Sequence, residues 1–232
     1  MKMDKGKFDN YHKKSKIAES RLPFLWLKIV RKFPFLNEKI NLILKLPKKA
    51  KILDVGCGLC TFLKYVHTIR PDIKLFGIDV SSGIESRIPN FIEFKKASGD
   101  KIPYKDNTFD LVICQHVLEH VQNPEDFAME IKRVTKEHVI IAVPNFRKTF
   151  LWDSANFWSD YTHVKPFTKT SLHKLLESCG FRRIKLKDTR EINISLLGII
   201  LLIPVNIFWR KFKFSILFAN IFNITTVGIA RK

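Results

Sequence analysis

The sequence predicts an α/β fold in which a doubly wound, mostly parallel sheet carries helices on both faces. Strand-length apolar runs alternate with segments of helical period, a glycine turn follows the first run, and a carboxylate closes the second. The alternation is informative because a parallel strand can rejoin its sheet only through a crossover, usually a helix.

At 232 residues, 46% hydrophobic and 27% charged, the chain suits one domain with a sizeable core and is thin for two. Cys57, Cys60, Cys114 and Cys179 are too scattered for a disulfide scaffold, and MKMDKGKFDNYHKK lacks the apolar centre of a signal peptide. A reducing cytoplasm is therefore the expected compartment. The 41 Lys+Arg against 22 Asp+Glu leave a formal charge of +19, which favours an anionic partner: nucleic acid, a phosphorylated substrate or an acidic membrane surface.

The first strand is KILDV, Lys51 to Val55, and Leu59 to Arg70 carries apolar residues at helical spacing until Pro71 stops it. Between them, Gly56 and Gly58 let the backbone turn sharply and approach a ligand beside the amides of a helix N-terminus. The same loop spells a Cys-x-x-Cys, Cys57 to Cys60, so a redox or metal site is the competing reading. Zinc needs about four N or S ligands, no second such pair completes a set, and no metal is expected. Interleaved with glycines, the cysteines read as turn fillers. A dinucleotide fingerprint would place a third glycine where this chain has Thr61, and Asp54 inside the first strand is foreign to it, so hydride transfer is disfavoured.

The second strand, Ile73 to Ser81, contains Asp79 and Val80 about 20 residues past the loop, where a carboxylate can accept from both hydroxyls of a ribose. A strand-end cap is the plainer reading of Asp79. Phe109 to Cys114 reads as a buried strand, Asn123 to Thr135 as a helix and His138 to Pro144 as the next strand, with Lys136 to His138 as a shortened turn before it. Phe181 to Lys187 is a sixth strand and Thr225 to Ala230 the last.

Asp54, Gly56 and Gly58 resemble the first motif of class I S-adenosylmethionine-dependent methyltransferases, with Cys60 where that family usually has a third glycine. The stretch Phe91 to Asn145 is similar, almost element by element, to the methyltransferase type 11 subgroup. The resemblance implies a Rossmann-like, seven-stranded sheet with an antiparallel last strand and S-adenosyl-L-methionine as cofactor. It further implies a cofactor site of Asp54, Gly56, Cys57, Gly58, Asp79, Val80, Ser98, Gly99, Asp100, Gln115 and His116, with Asp100 near the adenine amino group.

Methyl transfer to a hydroxyl needs a base, and histidine is the side chain matched to neutral pH. His116 leads, at the pocket mouth after the fourth strand. His120 lies on a helical VLEHV segment in which Glu119 and His120 can be surface or packing residues. His163 lies in DYTHVKPFT, a stretch similar to one common in the subgroup, where Asp160, Tyr161 and His163 can reach the acceptor and Thr168 caps the following helix.

Residues 1–50 mix Leu, Phe and Trp with Lys and Arg as a basic amphipathic helical segment, read either as a cap over the acceptor pocket or as an attachment to anionic membrane. Within the methyltransferase-like domain of 51–232, Ile192 to Trp209 opens an apolar insertion at about 192–222. Its length reaches that of a spanning helix, but Pro204 interrupts it and the last strand must return to the same sheet, so it is expected to lie in one leaflet, cover an apolar acceptor, or meet another subunit. The expected acceptor is a small molecule, a lipid or a lipid-linked glycan, handled in the cytoplasm or at the inner membrane face. Two alternatives stand beside it: a nucleic-acid methyltransferase, though no RNA-binding module is evident, and a non-catalytic scaffold of the same fold.

Overall fold

The computed structural model describes residues 34–145, 157–192 and 222–232. Seven strands form one sheet: β1 (Lys51–Val55), β2 (Lys74–Asp79), β3 (Ile92–Lys96), β4 (Phe109–Gln115), β5 (Thr135–Pro144), β6 (Arg182–Ile192) and β7 (Phe222–Arg231). Their order is β3-β2-β1-β4-β5-β7-β6. All pairings up to β5 are parallel, whereas β7 runs antiparallel to both β5 and β6. This is the mostly parallel, seven-stranded architecture with an antiparallel last strand. The chain winds outward from β1 to β3 and then returns to β4, so the strand order switches between β1 and β4. Ligands of such sheets lie in the crevice opened there, beyond the carboxyl ends of the strands.

Helices α1 (Pro34–Lys45) and α2 (Thr61–Ile69) cover one face, and α3 (Pro124–Val134) and α4 (Lys169–Ser178) the other. Because successive strand residues point to opposite faces, Leu53 and Val55 pack with Phe127, Ile131 and Leu172, while Ile52 packs with Ile40, Ile43 and Leu63. Both faces being buried, each central strand reads as a nearly continuous apolar run rather than an alternating one.

The carbonyls at the end of α1 would be orphaned without a partner. Arg70 supplies it: Nη1 donates to the Ile43, Leu44 and Leu46 carbonyls at 3.0, 3.1 and 3.1 Å, and Nη2 to that of Pro47 at 3.2 Å. Asp72 holds the guanidinium in two-pronged contact at 2.8 and 2.9 Å, and the same arginine depresses the Asp72 carboxyl. At α4 the expected cap is present: the Thr168 hydroxyl accepts from the Ser171 N–H at 3.1 Å while the Thr168 N–H donates to the Ser171 hydroxyl at 2.8 Å.

One expected element differs. Lys136 to His138 form no turn; β5 begins at Thr135, directly after α3, with Phe109 opposite Thr135 and Leu111 opposite His138. The helix end is closed by other means. Thr135 donates its hydroxyl to the Ile131 carbonyl at 2.7 Å, and the amides of Asn107 and Thr108 take the carbonyls of Arg133 and Val134, each at 2.9 Å. With those carbonyls satisfied, no glycine turn is needed.

The insertion expected at about 192–222 falls almost wholly outside the described residues, as do residues 1–33. Among the described residues, no helix is long and apolar enough to cross a membrane.

The glycine loop lies against β2 at Gly77, where a Cβ would come within 2.8 Å of Cys57 Sγ and 3.2 Å of Cys60 Sγ. Gly77→Ala is expected to lower the unfolding free energy by about 1–3 kcal/mol, with Cys57→Ala restoring part of the loss. Urea midpoints in a double-mutant cycle read this directly; strictly additive effects would mean that the loop and β2 do not share this contact.

Candidate active site

Three of the five residues from Gly56 to Cys60 have left-handed backbone: Gly56 at φ 75°, Gly58 at 49° and Cys60 at 57°. Gly56 is required twice over, because a Cβ there would also lie 2.3 Å from Val117 Cγ2. The loop is tied to the end of β2. The Gly56 and Cys57 amides donate to the Ile78 carbonyl at 2.8 and 3.1 Å, and the Gly58 amide to Asp79 Oδ2 at 2.8 Å. Asp79 Oδ1 accepts from the Ser81 amide at 2.9 Å, so this carboxylate braces the loop as well as facing the crevice edge.

Cys60 occupies a conformation that disfavours any residue with a Cβ by roughly 1–2 kcal/mol. Its buried thiol packs with that of Cys57 over Gly77. The Cys57 thiol is pushed up by its hydrogen bond with Cys60, by burial and by the neighbouring carboxylate of Asp54.

The turn after β3 closes the crevice from the other side. The Ala97 amide donates to the Asp79 carbonyl at 3.0 Å, and Lys101 N–H to the Ser98 carbonyl at 3.2 Å. Gly99 is pressed between Phe127 and Val55, where a Cβ would meet their carbons at 2.3 and 2.8 Å, while Asp100 is exposed and Val80 buried.

Beneath the loop lies a polar floor on the α1 face. Asp54 is only 5% exposed, and burial raises its carboxyl from the ordinary 3.8 to about 7, against the lowering field of the Lys39 ammonium and with that of Asp79. Lys39, on α1 and 3% exposed, donates from Nζ to Gln115 Oε1 at the end of β4. Sequence reasoning missed Lys39. Its signal was a lysine on the same helical stripe as Ile43 and Leu46, four and seven positions on, where an apolar residue would be expected.

After β4 the chain turns through His116, whose φ is 54° and whose amide donates to the Ala142 carbonyl at 2.9 Å. The imidazole is 39% exposed, with Nδ1 3.5 Å from Glu119 Oε1. Leu118 to His120 form a 3-10 turn rather than the expected helix, and Glu119 is no surface residue: it is fully buried. The turn is held from the His163 segment, since the amides of Val164 and Lys165 donate to the Glu119 carbonyl at 2.8 and 3.1 Å. The His120 and His163 rings consequently lie 4.8 Å apart. The glycine loop and Asp79 are thus joined by hydrogen bonds at the carboxyl ends of β1 and β2, Gln115 and His116 lie at the end of β4, and the His163 segment is held against the turn that carries His116.

A sequence profile described as a methyltransferase domain matches residues 29–186. The chain belongs to the methyltransferase-domain family. Its fold is that of class I S-adenosylmethionine-dependent methyltransferases.

An uncharacterized methyltransferase of Schizosaccharomyces pombe is 36% identical over 113 residues, 40% of this chain and 39% of that protein. The carboxy-S-adenosyl-L-methionine synthase of Campylobacter hominis is 26% identical over 195 residues, 68% of this chain and 82% of that one. Phosphoethanolamine N-methyltransferase 2 of Haemonchus contortus, solved with S-adenosyl-L-methionine, shares the fold at a TM-score of 0.64 and 14% identity, covering 84% of this chain and 52% of that one. The chain spans less than half the length of three curated relatives, at 39%, 48% and 46%. Those three likenesses thus reach only part of each relative.

The methyltransferase domain carries a pH signature in Asp54. With the folded value near 7 and the ordinary value 3.8, the native state binds more protons than the unfolded chain between them. The contribution to stability is complete below the unfolded value and is lost as pH rises through 7. At 1.36 kcal/mol per pH unit, the loss approaches on the order of 4 kcal/mol. Urea unfolding at pH 5 and pH 8 is expected to show about 3 kcal/mol of this fall in the intact chain and none of it in Asp54→Asn; an equal change in both would show that Asp54 titrates normally.

Proposed function

We propose that the protein transfers the methyl group of S-adenosyl-L-methionine to a hydroxyl or another nucleophile on a small-molecule, lipid or lipid-linked glycan acceptor. The observation that carries this reading is the braced glycine loop: amides of Gly56, Cys57 and Gly58 are pinned to the end of β2, at the switch point of the sheet. In this reading Gly56, Cys57 and Gly58 cradle the cofactor above Asp54. Asp79, beside Val80, accepts the ribose hydroxyls, since each carboxylate oxygen has a second lone pair beyond the one taken by the loop. Ser98, Gly99 and Asp100 border the adenine, and Gln115 and His116 the methyl-donating end.

When bound, the cofactor supplies a methyl group on a sulfonium cation, and in-line displacement is accelerated chiefly by holding donor and acceptor close and aligned. The protein's own chemical contribution is a base. His116 is the half-open imidazole at the crevice mouth, and the buried Glu119 behind it favours the imidazolium that forms when a proton is taken from the acceptor. A membrane-borne acceptor suits the excess of 41 basic over 22 acidic residues, the 20 phenylalanines and the uncharged run from Ile192 to Trp209. The basic amphipathic segment of residues 1–50 then serves as cap and attachment together.

Calorimetric titration with S-adenosyl-L-methionine is expected to show binding in about the micromolar range. Gly58→Asp should abolish it, because the new carboxylate faces the one already on the Gly58 amide. Absence of binding to the folded intact chain would overturn the reading. With a methyl-labelled donor and a cell extract, label is expected in the organic-soluble fraction; label confined to RNA would replace the lipid acceptor with a nucleic acid.

A further inference from the structure

The turn after β4 and the His163 segment bring together a second constellation that the cofactor site does not use. Glu119, His120 and His163 present one ligand atom each within 4.8 Å of one another. Glu119 is fully buried, and neither carboxylate oxygen finds a hydrogen-bond partner among the described residues; the nearest cationic candidate, His116 Nδ1, stands at 3.5 Å from Oε1. Burying a carboxylate without a partner is costly enough that such groups are normally paired or bound to a metal.

The partners of the two histidines decide their tautomers. His163 Nδ1 lies 2.6 Å from the Phe157 carbonyl, which can only accept, so Nδ1 carries the hydrogen and Nε2 the lone pair. The Thr162 hydroxyl donates to Asp160 Oδ1 at 2.5 Å and therefore accepts from His120 Nδ1 at 2.9 Å, and the Thr162 backbone carbonyl accepts from the same ring. A ring whose other N–H is fixed by a carbonyl or by a hydroxyl backed with a carboxylate is how proteins orient metal-bound histidines.

We propose that Glu119, His120 and His163 bind one divalent transition-metal ion, of the class that takes two imidazoles and one carboxylate, such as zinc, cobalt or iron(II). Ligands about 2.1 Å from one ion lie at most about 4.2 Å apart. At tetrahedral angles the separation is about 3.4 Å, so binding draws the widest-spaced pair together by up to roughly 1.4 Å through side-chain rotation. Asp160 Oδ2, 3.8 Å from His163 Nε2, is the nearest further oxygen. Two ligands belong to the turn whose Val117 packs on Gly56, so the ion borders the cofactor loop.

Its role rests on the methyl-transfer reading. An ion held by Glu119, His120 and His163 would acidify an acceptor hydroxyl bound to it, His116 would take the proton, and attack of the oxygen on the methyl carbon with cleavage of the carbon–sulfur bond would leave the neutral thioether S-adenosylhomocysteine.

The full chain, stripped with a chelator and dialysed, is titrated with Co²⁺ and followed by calorimetry and visible absorption. One ion per chain is expected, with ligand-field bands and no thiolate charge-transfer band. His163→Gln and Glu119→Gln should each weaken binding at least tenfold. Thr162→Val, which leaves all three ligands in place, should weaken it roughly 10- to 100-fold through the lost orientation of His120. S-adenosyl-L-methionine binding by each variant serves as the test of folding and separates failure here from failure of the methyltransferase reading. No stoichiometric Co²⁺ binding by the folded chain would overturn the proposal. So would unchanged affinity in both ligand variants, or a thiolate band that disappears in Cys57→Ala, which would place the ion on the cysteines.

Discussion

The crevice depends on one short set of hydrogen bonds, those that bind the glycine loop to the carboxyl end of β2. Gly56 and Cys57 share the Ile78 carbonyl, and Gly58 donates to the Asp79 carboxylate. Without them the three left-handed residues of the loop would have no compensation for their backbone cost. The same ties explain the departures from a plain glycine-rich loop. Cys57 and Cys60 place their thiols against Gly77 of β2, where the missing Cβ leaves them room.

A second constraint is the burial of charge. Lys39, Asp54 and Glu119 are all nearly or fully buried. Lys39 lowers the Asp54 carboxyl and donates to Gln115, which makes a polar floor on the α1 face. Glu119 finds no hydrogen-bond partner among the described residues, and its surroundings differ accordingly: His116 Nδ1 at 3.5 Å, and the rings of His120 and His163.

Much of this was legible in residue order. The strand Lys51–Val55, the glycine turn, Asp79 and the buried strand after Asn107 follow from period and turn chemistry. Errors arose where local signals compete with distant partners. Lys136 to His138 were read as a turn because a helix normally needs a loop before a strand, yet amides from Asn107 and Thr108 close that helix from outside. VLEHV suggested a helix whose Glu119 and His120 are surface or packing residues; contacts from Val164 and Lys165 fix it as a 3-10 turn with the carboxylate packed inside.

By itself the sequence determined the type and order of the elements and the place of the cofactor loop, because strand period, helix period and glycine turns are backbone constraints written within a few residues. Only the tertiary structure decided which side chains share a buried volume. Lys39 meets Gln115 across 76 positions because α1 lies on the face to which Asp54 and Gln115 alternate. His163 meets Glu119 and His120 because Thr162 and the Phe157 carbonyl hold its segment against the turn after β4. Such meetings depend on how whole elements pack, and burial then gives the groups that meet a chemistry their sequence neighbours do not predict.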